Sequence, residues 1–219
     1  MGAVQSNCQT KWFDCLVGMV GGMADPEATK RRIFEAAVAE FAEYGPAGAR
    51  VDRIAAKARA NKESIYRYFG TKDELLRRVI DRYLDEQGEQ MEPQEEELAE
   101  YATNLSKFHA AHPEFLRMSL WEALEFGSDV GEGSLEHRRQ HYEEKLASVA
   151  RQQRDGLIDP ALDPRHLLAV VFGMVNYWRM LPQMVRLLFG AEVTEADAER
   201  YREFVAECIR RITEPPEQD

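Results

Sequence analysis

Apolar side chains in residues 51–69 recur with the period of an α-helix in two short runs, and this stretch constrains the fold most strongly. The first run, at the spacing i, i+3, i+4 and i+7, consists of Val51, Ile54, Ala55 and Ala58. The second run consists of Ile65, Tyr68 and Phe69. Asn61 is a favourable N-cap, so the second helix is predicted to begin at Lys62. Two short helices joined this tightly predict either a helix-turn-helix or an ordinary helical hairpin.

The second of these helices is predicted to have a polar outer face. Successive residues of a helix are rotated by 100°, so when the apolar run points inward, the residues that point outward are Glu63, Ser64, Tyr66 and Arg67. Glu63 precedes Arg67 by four residues, so the two are predicted to pair in the free protein. In a DNA major groove, Arg67 would favour guanine and Glu63 could accept from cytosine N4.

Three linked motifs at fitting spacings lie between Thr29 and Leu76. They read RRIFEAAVAEFAEYG, VDRIAAKA and SIYRYFGTKDELL. Together they closely resemble the DNA-binding domain of TetR-type transcriptional regulators. The resemblance implies an all-α chain, with a three-helix helix-turn-helix domain over residues 24–78. A larger helical domain for effector binding and dimerisation would follow over residues 79–213.

The chain departs from that family pattern at two positions. Arg59 stands in the turn where the family usually has Gly, and a left-handed conformation there costs a non-Gly residue about 1 kcal/mol. Arg50 stands where the family has a Ser or Thr cap, which is worth about 1 kcal/mol. A cation at that position could instead meet a DNA phosphate.

Phosphate contacts are expected to fix the register of the complex, and we assign them to Lys62, Tyr66 and Lys72. Gly70 ends the preceding helix, and a new helix begins at Lys72, within a T-x-x-E capping box that runs from Thr71 to Glu74. Free N–H groups at this helix start also favour anions. The full set of predicted DNA-contacting residues is Arg50, Lys62, Glu63, Ser64, Tyr66, Arg67, Tyr68 and Lys72.

The net charge of −11 is unusual for a nucleic-acid-binding protein until it is divided along the chain. Residues 28–78 hold 12 Lys and Arg against 7 Asp and Glu, a formal charge of +5. Residues 79–219 hold 15 against 29, a formal charge of −14. The positive part coincides with the helix-turn-helix, as attraction to phosphate requires. The acidic remainder is expected to lie away from DNA.

The termini and cysteines set further limits. Residues 1–23 share no periodicity with the rest and are expected to be a disordered leader, or an upstream translation before a start at Met19 or Met23. The tail 214–219 is also expected to be disordered. Three scattered cysteines favour neither a disulfide framework nor a four-ligand zinc site, so a reducing cytoplasm is expected. No stretch is long and apolar enough to predict a membrane span.

The remaining sequence predicts long helices. After a first helix over Pro26–Tyr44, capped by Gly45, their approximate ranges are 95–110, 113–126, 135–155, 164–188 and 194–212. Gly127 to Ser134 is expected to be a loop, and Pro182 should kink or divide its helix. No segment alternates like a strand.

The resemblance implies a small-molecule pocket in the second domain and a dimer interface on its last two long helices. The penultimate helix is apolar on more than one face, which also favours a dimer, and Val171 and Val175 are the predicted interface residues. The candidate pocket residues are Phe108, Phe115, Met118, Trp121, Phe126, Met174, Tyr177 and Trp178. Ordinary core packing is the alternative for each of them.

A rival interpretation uses His137, His141 and Glu144, which share one helical face at i, i+4 and i+7. They could serve a metal-dependent helical enzyme or a metal sensor, but a solvated polar face is the preferred explanation. His109 and His112 are interpreted as structural.

The sequence therefore predicts a homodimeric, ligand-responsive transcriptional regulator, expected to be a repressor. An unknown small molecule would release it from a near-palindromic DNA operator. We assign it no catalytic residue, cofactor, metal or membrane partner.

Overall fold

The computed structural model describes residues 25–91, 97–190 and 192–216, and these residues form helices and connecting turns. Residues 1–23, predicted to be a leader, lie outside the described residues, as do residues 217–219 of the predicted tail. The helices of the described residues are α1 Pro26–Gly48, α2 Val51–Ala58, α3 Lys62–Phe69, α4 Lys72–Gln90, α5 Leu98–Ala111, α6 Pro113–Phe126, α7 Glu132–Arg154, α8 Pro164–Met180, α9 Pro182–Phe189 and α10 Glu195–Thr213. The all-α prediction is confirmed.

Helix α1 supports the helix-turn-helix and is shaped by its two ends. The carboxylate of Asp25 accepts a hydrogen bond from the backbone N–H of Glu27 at 3.0 Å, and Pro26 takes the first helical position. Gly45 has φ 65° and ends the regular helix where predicted, although one more turn continues to Gly48. A Cβ at position 45 would lie 3.0 Å from the ring of Trp121, so this glycine also permits close packing on α6.

Helices α2 and α3 form the predicted tight joint. The side-chain oxygen of Asn61 accepts from the N–H of Ser64 at 2.7 Å, which confirms the cap. Arg59 adopts φ 51° and ψ 44°, the left-handed conformation that the glycine pattern indicated. Ile54 and Ile65 are fully buried and hold the two helices against α1 and α4. The helix-turn-helix is therefore built as the periodicity predicts.

Glu40 of α1 supports the start of α2, where the Ser or Thr cap is missing. Arg50 provides no side-chain cap within the described structure, but its backbone N–H donates to the Glu40 carboxylate at 2.8 Å. The same oxygen accepts from Nε of Arg53 at 2.8 Å. The carboxylate is buried and lies beside the positive end of α2, where an anion is favoured. A residue ten positions upstream thus satisfies the N-cap N–H, as the glutamate of a capping box does, and not the N–H groups that a Ser or Thr cap would have bound.

Helix α4 belongs to both domains. It begins with the predicted capping box, in which Thr71 and Glu74 exchange hydrogen bonds. Its first turns bury Leu75 and Leu76, and its later turns bury Tyr83 and Leu84. The helix contacts α1 and α3 at one end and α6 and α7 along its length. The predicted domain boundary between residues 78 and 79 therefore lies inside one continuous helix.

The second domain packs α5 against α8 and α10, with α6 and α7 completing the bundle. Pro182 divides its helix into α8 and α9, as predicted. Helix α7 begins at Glu132, three residues before the predicted start, because the N–H groups of Ser134 and Leu135 already donate to the carbonyl of Gly131. None of the described helices is long and apolar enough to cross a membrane.

Replacing Arg59 by Gly is expected to stabilise the protein by about 0.5–1 kcal/mol, because Gly adopts the left-handed conformation without a steric cost. Arg59 is exposed, so little packing is lost. The matched control is Lys57→Gly, an exposed basic residue inside α2, which should destabilise by about 1 kcal/mol. Urea unfolding measures the change in the free energy of unfolding for both variants. A destabilised Arg59→Gly protein would contradict this account of the turn.

Candidate DNA-binding surface and effector domain

Helix α3 presents most of its predicted outer face to solvent. Lys62, Glu63, Tyr66 and Arg67 are exposed, and Ser64 is half-buried. Tyr66 keeps 51% of its surface exposed although it is aromatic, which leaves its ring and hydroxyl available to a nucleic acid. The helix thus offers bases or phosphates a surface of hydrogen-bonding groups.

Arg67 contacts Tyr68 rather than Glu63. Its guanidinium donates to the Tyr68 hydroxyl at 2.8 Å and lies 4.7 Å from the centre of that ring. The predicted Glu63–Arg67 pair is therefore wrong for the free protein, because the adjacent tyrosine offers both a ring face and an acceptor. Tyr68 is half-buried and sits beneath Arg67, so it supports the outer face more than it belongs to it.

Lys62 and Lys72 have protein partners in this structure. The ammonium group of Lys62 pairs with the exposed carboxylate of Asp52 across the turn. Lys72 donates to the carbonyl oxygens of Pro46 at 2.6 Å and Ala49 at 3.4 Å, and so holds the end of α1 to α4. Its predicted phosphate contact stays a prediction, but a structural role accounts for its position. Arg50 is exposed at the start of α2.

A buried ionic cluster connects α4 to α6 and α7. Arg138 donates two hydrogen bonds to Glu122, at 2.7 and 3.0 Å, and a third through Nε to Asp81 at 2.7 Å. The hydroxyl of Ser134 donates to the other oxygen of Asp81. Arg138 and Glu122 are buried and Asp81 is nearly so. Because one side chain joins three helices, any displacement of α4 is resisted at this cluster.

A second contact ties α4 to the α6–α7 turn. Arg77 pairs with Asp129 at 3.1 Å and lies 4.9 Å from the centre of the Phe126 ring. Phe126 was a predicted pocket residue, and the structure instead makes it the platform for this arginine.

The other predicted pocket residues are distributed over several parts of the domain. Phe108, Phe115 and Met118 are buried in the core. Trp121 packs on Gly45 of the first domain. The members on α8 lie at a different place, beside α9 and α10, and are Met174, Tyr177 and Trp178. These eight candidates therefore do not share one place in the structure, because the sequence shows which residues are apolar but not which helix faces they share.

Trp178 illustrates this placement. Its ring centre lies 5.0 Å from that of Tyr201 and 5.0 Å from that of Phe189. The Tyr201 hydroxyl donates to the backbone carbonyl of Met174 at 2.8 Å. These side chains therefore join α8 to α9 and α10.

The predicted interface residues Val171 and Val175 are buried in the core of their own subunit. Val171 is fully inaccessible and Val175 nearly so. The prediction that they contact a second subunit is therefore corrected. The exposed apolar side chains of α8, α9 and α10 are Val170, Met180, Met184, Leu187, Leu188, Phe189, Phe204 and Ile212.

The histidines of the metal interpretation contact α4 separately. Nε2 of His137 lies 2.7 Å from the carboxylate of Asp85, and Nε2 of His141 lies 3.2 Å from the amide oxygen of Gln87. Burial lowers the pKa of His141 to about 3, and Lys145 adds to this effect. Within the described ranges, no group of three His, Cys, Asp or Glu side chains is arranged to hold a metal. The metal-dependent alternative is therefore not favoured.

Comparison with known proteins agrees with this architecture. Residues 33–79 match the model described as "Bacterial regulatory proteins, tetR family", and residues 97–211 match "Tetracyclin repressor-like, C-terminal domain". The chain is 42% identical to the HTH-type transcriptional repressor SCO4008 of Streptomyces coelicolor, over 87% of this chain and 97% of that protein. It is 30% identical to the HTH-type transcriptional repressor Rv3405c of Mycobacterium tuberculosis, over 86% and 91%.

A solved structure agrees as well. The putative transcriptional regulator SCO4942 from Streptomyces coelicolor superposes with a TM-score of 0.70 at 32% identity, over 86% of this chain and 99% of that one. The chain belongs to the TetR family of bacterial regulatory proteins. It is a ligand-responsive, DNA-binding transcriptional regulator.

Arg138→Met is expected to destabilise the protein by about 3–5 kcal/mol, since it leaves the buried Glu122 carboxylate without its partner and Asp81 with only the Ser134 hydroxyl. The control is Arg139→Met on the next position of α7, where an exposed pair with Glu136 should contribute less than about 1 kcal/mol. Urea unfolding measures both values. Equal losses in the two variants would show that the cluster does not hold α4 in place.

Proposed function

We propose that the protein is a homodimeric repressor whose two α3 helices bind the half-sites of a near-palindromic operator. The observation that carries this is the exposed polar face of α3 in a cationic domain, joined through α4 to an acidic second domain. Two of the relatives named above, SCO4008 and Rv3405c, are named as transcriptional repressors, which supports repression by this protein as well. Such DNA lies in the bacterial cytoplasm, where we place the protein.

Dimerisation is supported by the apolar surface of α8, α9 and α10. Leu187 is 78% exposed and Phe204 is 64% exposed, and neither finds burial within its own subunit. Exposed apolar surface of this extent indicates contact with another molecule. A two-fold contact of this surface with itself would give each dimer two helix-turn-helix heads. Half-sites about 34–36 Å apart fit such heads when they face successive turns of the major groove.

Effector release is proposed to act through α4. The Arg138 cluster and the Arg77–Asp129 pair attach this helix to the effector domain, and its N-terminal turns lie in the core of the DNA-binding domain. A ligand that favours another α4 position would change the separation of the two heads. Release by a factor of 100 needs a coupling free energy of about 2.7 kcal/mol, which lies in the usual range.

Base recognition is assigned to Arg67 and Glu63. To reach guanine, Arg67 has to leave the Tyr68 hydroxyl, a rotation that its exposed side chain permits. Its two donors would then bind O6 and N7, worth about 1–3 kcal/mol of discrimination. Glu63 can accept from cytosine N4. We therefore expect a G·C pair near the middle of each half-site.

A binding selection from random DNA with wild type, Glu63→Ala and Arg67→Ala tests this assignment. Arg67→Ala should lose the preference for guanine at one position of each half-site. Arg139→Ala, on α7, is the control for removal of one positive charge and should keep every preference. If Arg67→Ala binds the same sequences with uniformly lower affinity, Arg67 contacts the backbone. If wild type selects no sequence, the operator-binding proposal fails.

Phe204→Glu is expected to produce a folded monomer, since it places a charge in the proposed contact. Leu124→Glu is the matched control, because Leu124 is 78% exposed on α6, outside the α8–α10 surface. Sedimentation velocity reports the oligomeric state, and circular dichroism verifies the fold. A Phe204→Glu protein that remains dimeric would show that α10 is not at the interface.

A further inference from the structure

His109 of α5 is a buried polar side chain that has no hydrogen-bond partner among the described residues. It is 4% exposed, and neither Nδ1 nor Nε2 has a hydrogen-bond partner among the described residues. Its ring centre lies 5.6 Å from that of Phe115 and 6.0 Å from that of Phe108, so aromatic rings surround it. Native proteins pair nearly all buried polar groups, and an exception requires an explanation.

Asn176 of α8 faces the same place. Its Oδ1 atom is also buried and unpaired within the described structure. The Asn176 side chain is close enough to His109 for a poorly aligned hydrogen bond to raise the pKa of the ring, but neither ring nitrogen nor Oδ1 has a partner in good hydrogen-bond geometry among the described residues. Helices α5 and α8 pack on each other, so the fold brings two unsatisfied polar groups from different elements together. Arg179 and His112 are the charged and titratable groups that act on His109.

His109 and Asn176, the polar pair, offer a ligand one uncharged hydrogen-bond donor and two acceptors. The pKa of His109 is lowered to about 4, mainly by burial; Asn176 acts in the opposite direction, and the positive charge of Arg179 adds a smaller lowering effect. At neutral pH the imidazole is therefore uncharged, with one nitrogen donating and the other accepting. Asn176 Oδ1 adds an acceptor. Arg179 disfavours a cation, while the rings of Phe108 and Phe115 favour a flat, apolar body.

The polar pair lies near two helix breaks. The chain leaves helical geometry at His112, between α5 and α6, and at Leu181, between α8 and α9. Each break precedes a proline, and His109 and Asn176 lie within the last two turns before them. Since the helices end here, a small molecule can enter by moving terminal turns, without opening the middle of the bundle.

We propose that His109 and Asn176 are the polar recognition element of the effector site, and that they take a planar, uncharged molecule with a hydrogen-bond donor beside an acceptor, such as a lactam. This rests on the proposed function of an effector-responsive repressor. The effector supplies the hydrogen-bond partners that these two side chains lack among the described residues. Binding therefore satisfies one polar group on α5 and one on α8 at the same time.

The free protein gives the first test. His109→Phe should raise the unfolding midpoint by about 2–4 °C, because it removes an unpaired polar group from an aromatic cluster. His109→Leu is the second variant, in case the larger ring does not fit, and should raise it as well. If both variants lower the midpoint by several degrees, His109 has partners in the folded protein and the proposal is overturned.

The second test uses 2-pyridone, a flat lactam, and N-methyl-2-pyridone, in which the donor is blocked. With full-length protein labelled with ¹⁵N-histidine, about 10 mM 2-pyridone, a concentration suited to a ligand of this size, should shift the His109 ring signals. N-methyl-2-pyridone should bind about tenfold more weakly, which is the loss of about 1.4 kcal/mol. For the variants, binding is read from the saturation-transfer difference signals of 2-pyridone itself, which do not depend on His109. Asn176→Leu should weaken 2-pyridone binding, and His109→Phe should abolish it.

Equal binding of the two probes, no binding of 2-pyridone, or unchanged binding by His109→Phe would each overturn the proposal. Operator binding is measured on the same samples, with DNA from the selection described above. A wild-type protein that binds its operator but not 2-pyridone disproves only the effector site. A protein that binds no operator instead disproves the proposed function.

Discussion

The position of the DNA-binding domain depends on one buried guanidinium, that of Arg138. Removing three charged groups from water costs several kcal/mol per ion, and this cost is offset only when every hydrogen bond is made. The planar fork of arginine satisfies Glu122 with two parallel bonds and Asp81 with a third. The ionic cluster permits one register of α4 against α6 and α7.

Because α4 is continuous, that register is transmitted to the first domain. Leu75 and Leu76 lie in the core that holds α1 to α3, whereas Tyr83 contacts the ring of Phe115 in the effector domain. Burial raises the pKa of the Tyr83 hydroxyl, and its hydrogen bond to Glu114 at 2.8 Å raises it further. The same helix thus contacts both the helix-turn-helix and the aromatic cluster beside His109, with no flexible linker between them.

Local signals in the sequence were sufficient for most of the fold. Asn61, Thr71 and Pro182 mark boundaries through hydrogen bonds and sterics that involve near neighbours, and the structure has those boundaries. The subunit contact and the His109–Asn176 pair were harder to predict, because they depend on which residues of different helices come together. The helical period places Val171 on an apolar face of its helix. The sequence pattern is the same whether that face is buried in its own subunit or against a partner subunit. His109 becomes unusual only through Asn176, which lies 67 positions away along the chain.

The packing of Trp121 against Gly45 gives the protein an internal optical reporter. The indole lies between α6 and the end of α1, and it remains 37% exposed. Since indole emission shifts with contact to water, any sliding of the DNA-binding domain over α6 changes the colour of its fluorescence. Trp178 lies apart, among Tyr201 and Phe189, and supplies a second signal from the α8–α10 region. In variants that keep only Trp121 or only Trp178, with Trp12 also replaced, motion at the domain junction and rearrangement near the proposed subunit contact can therefore be followed separately, without any attached dye.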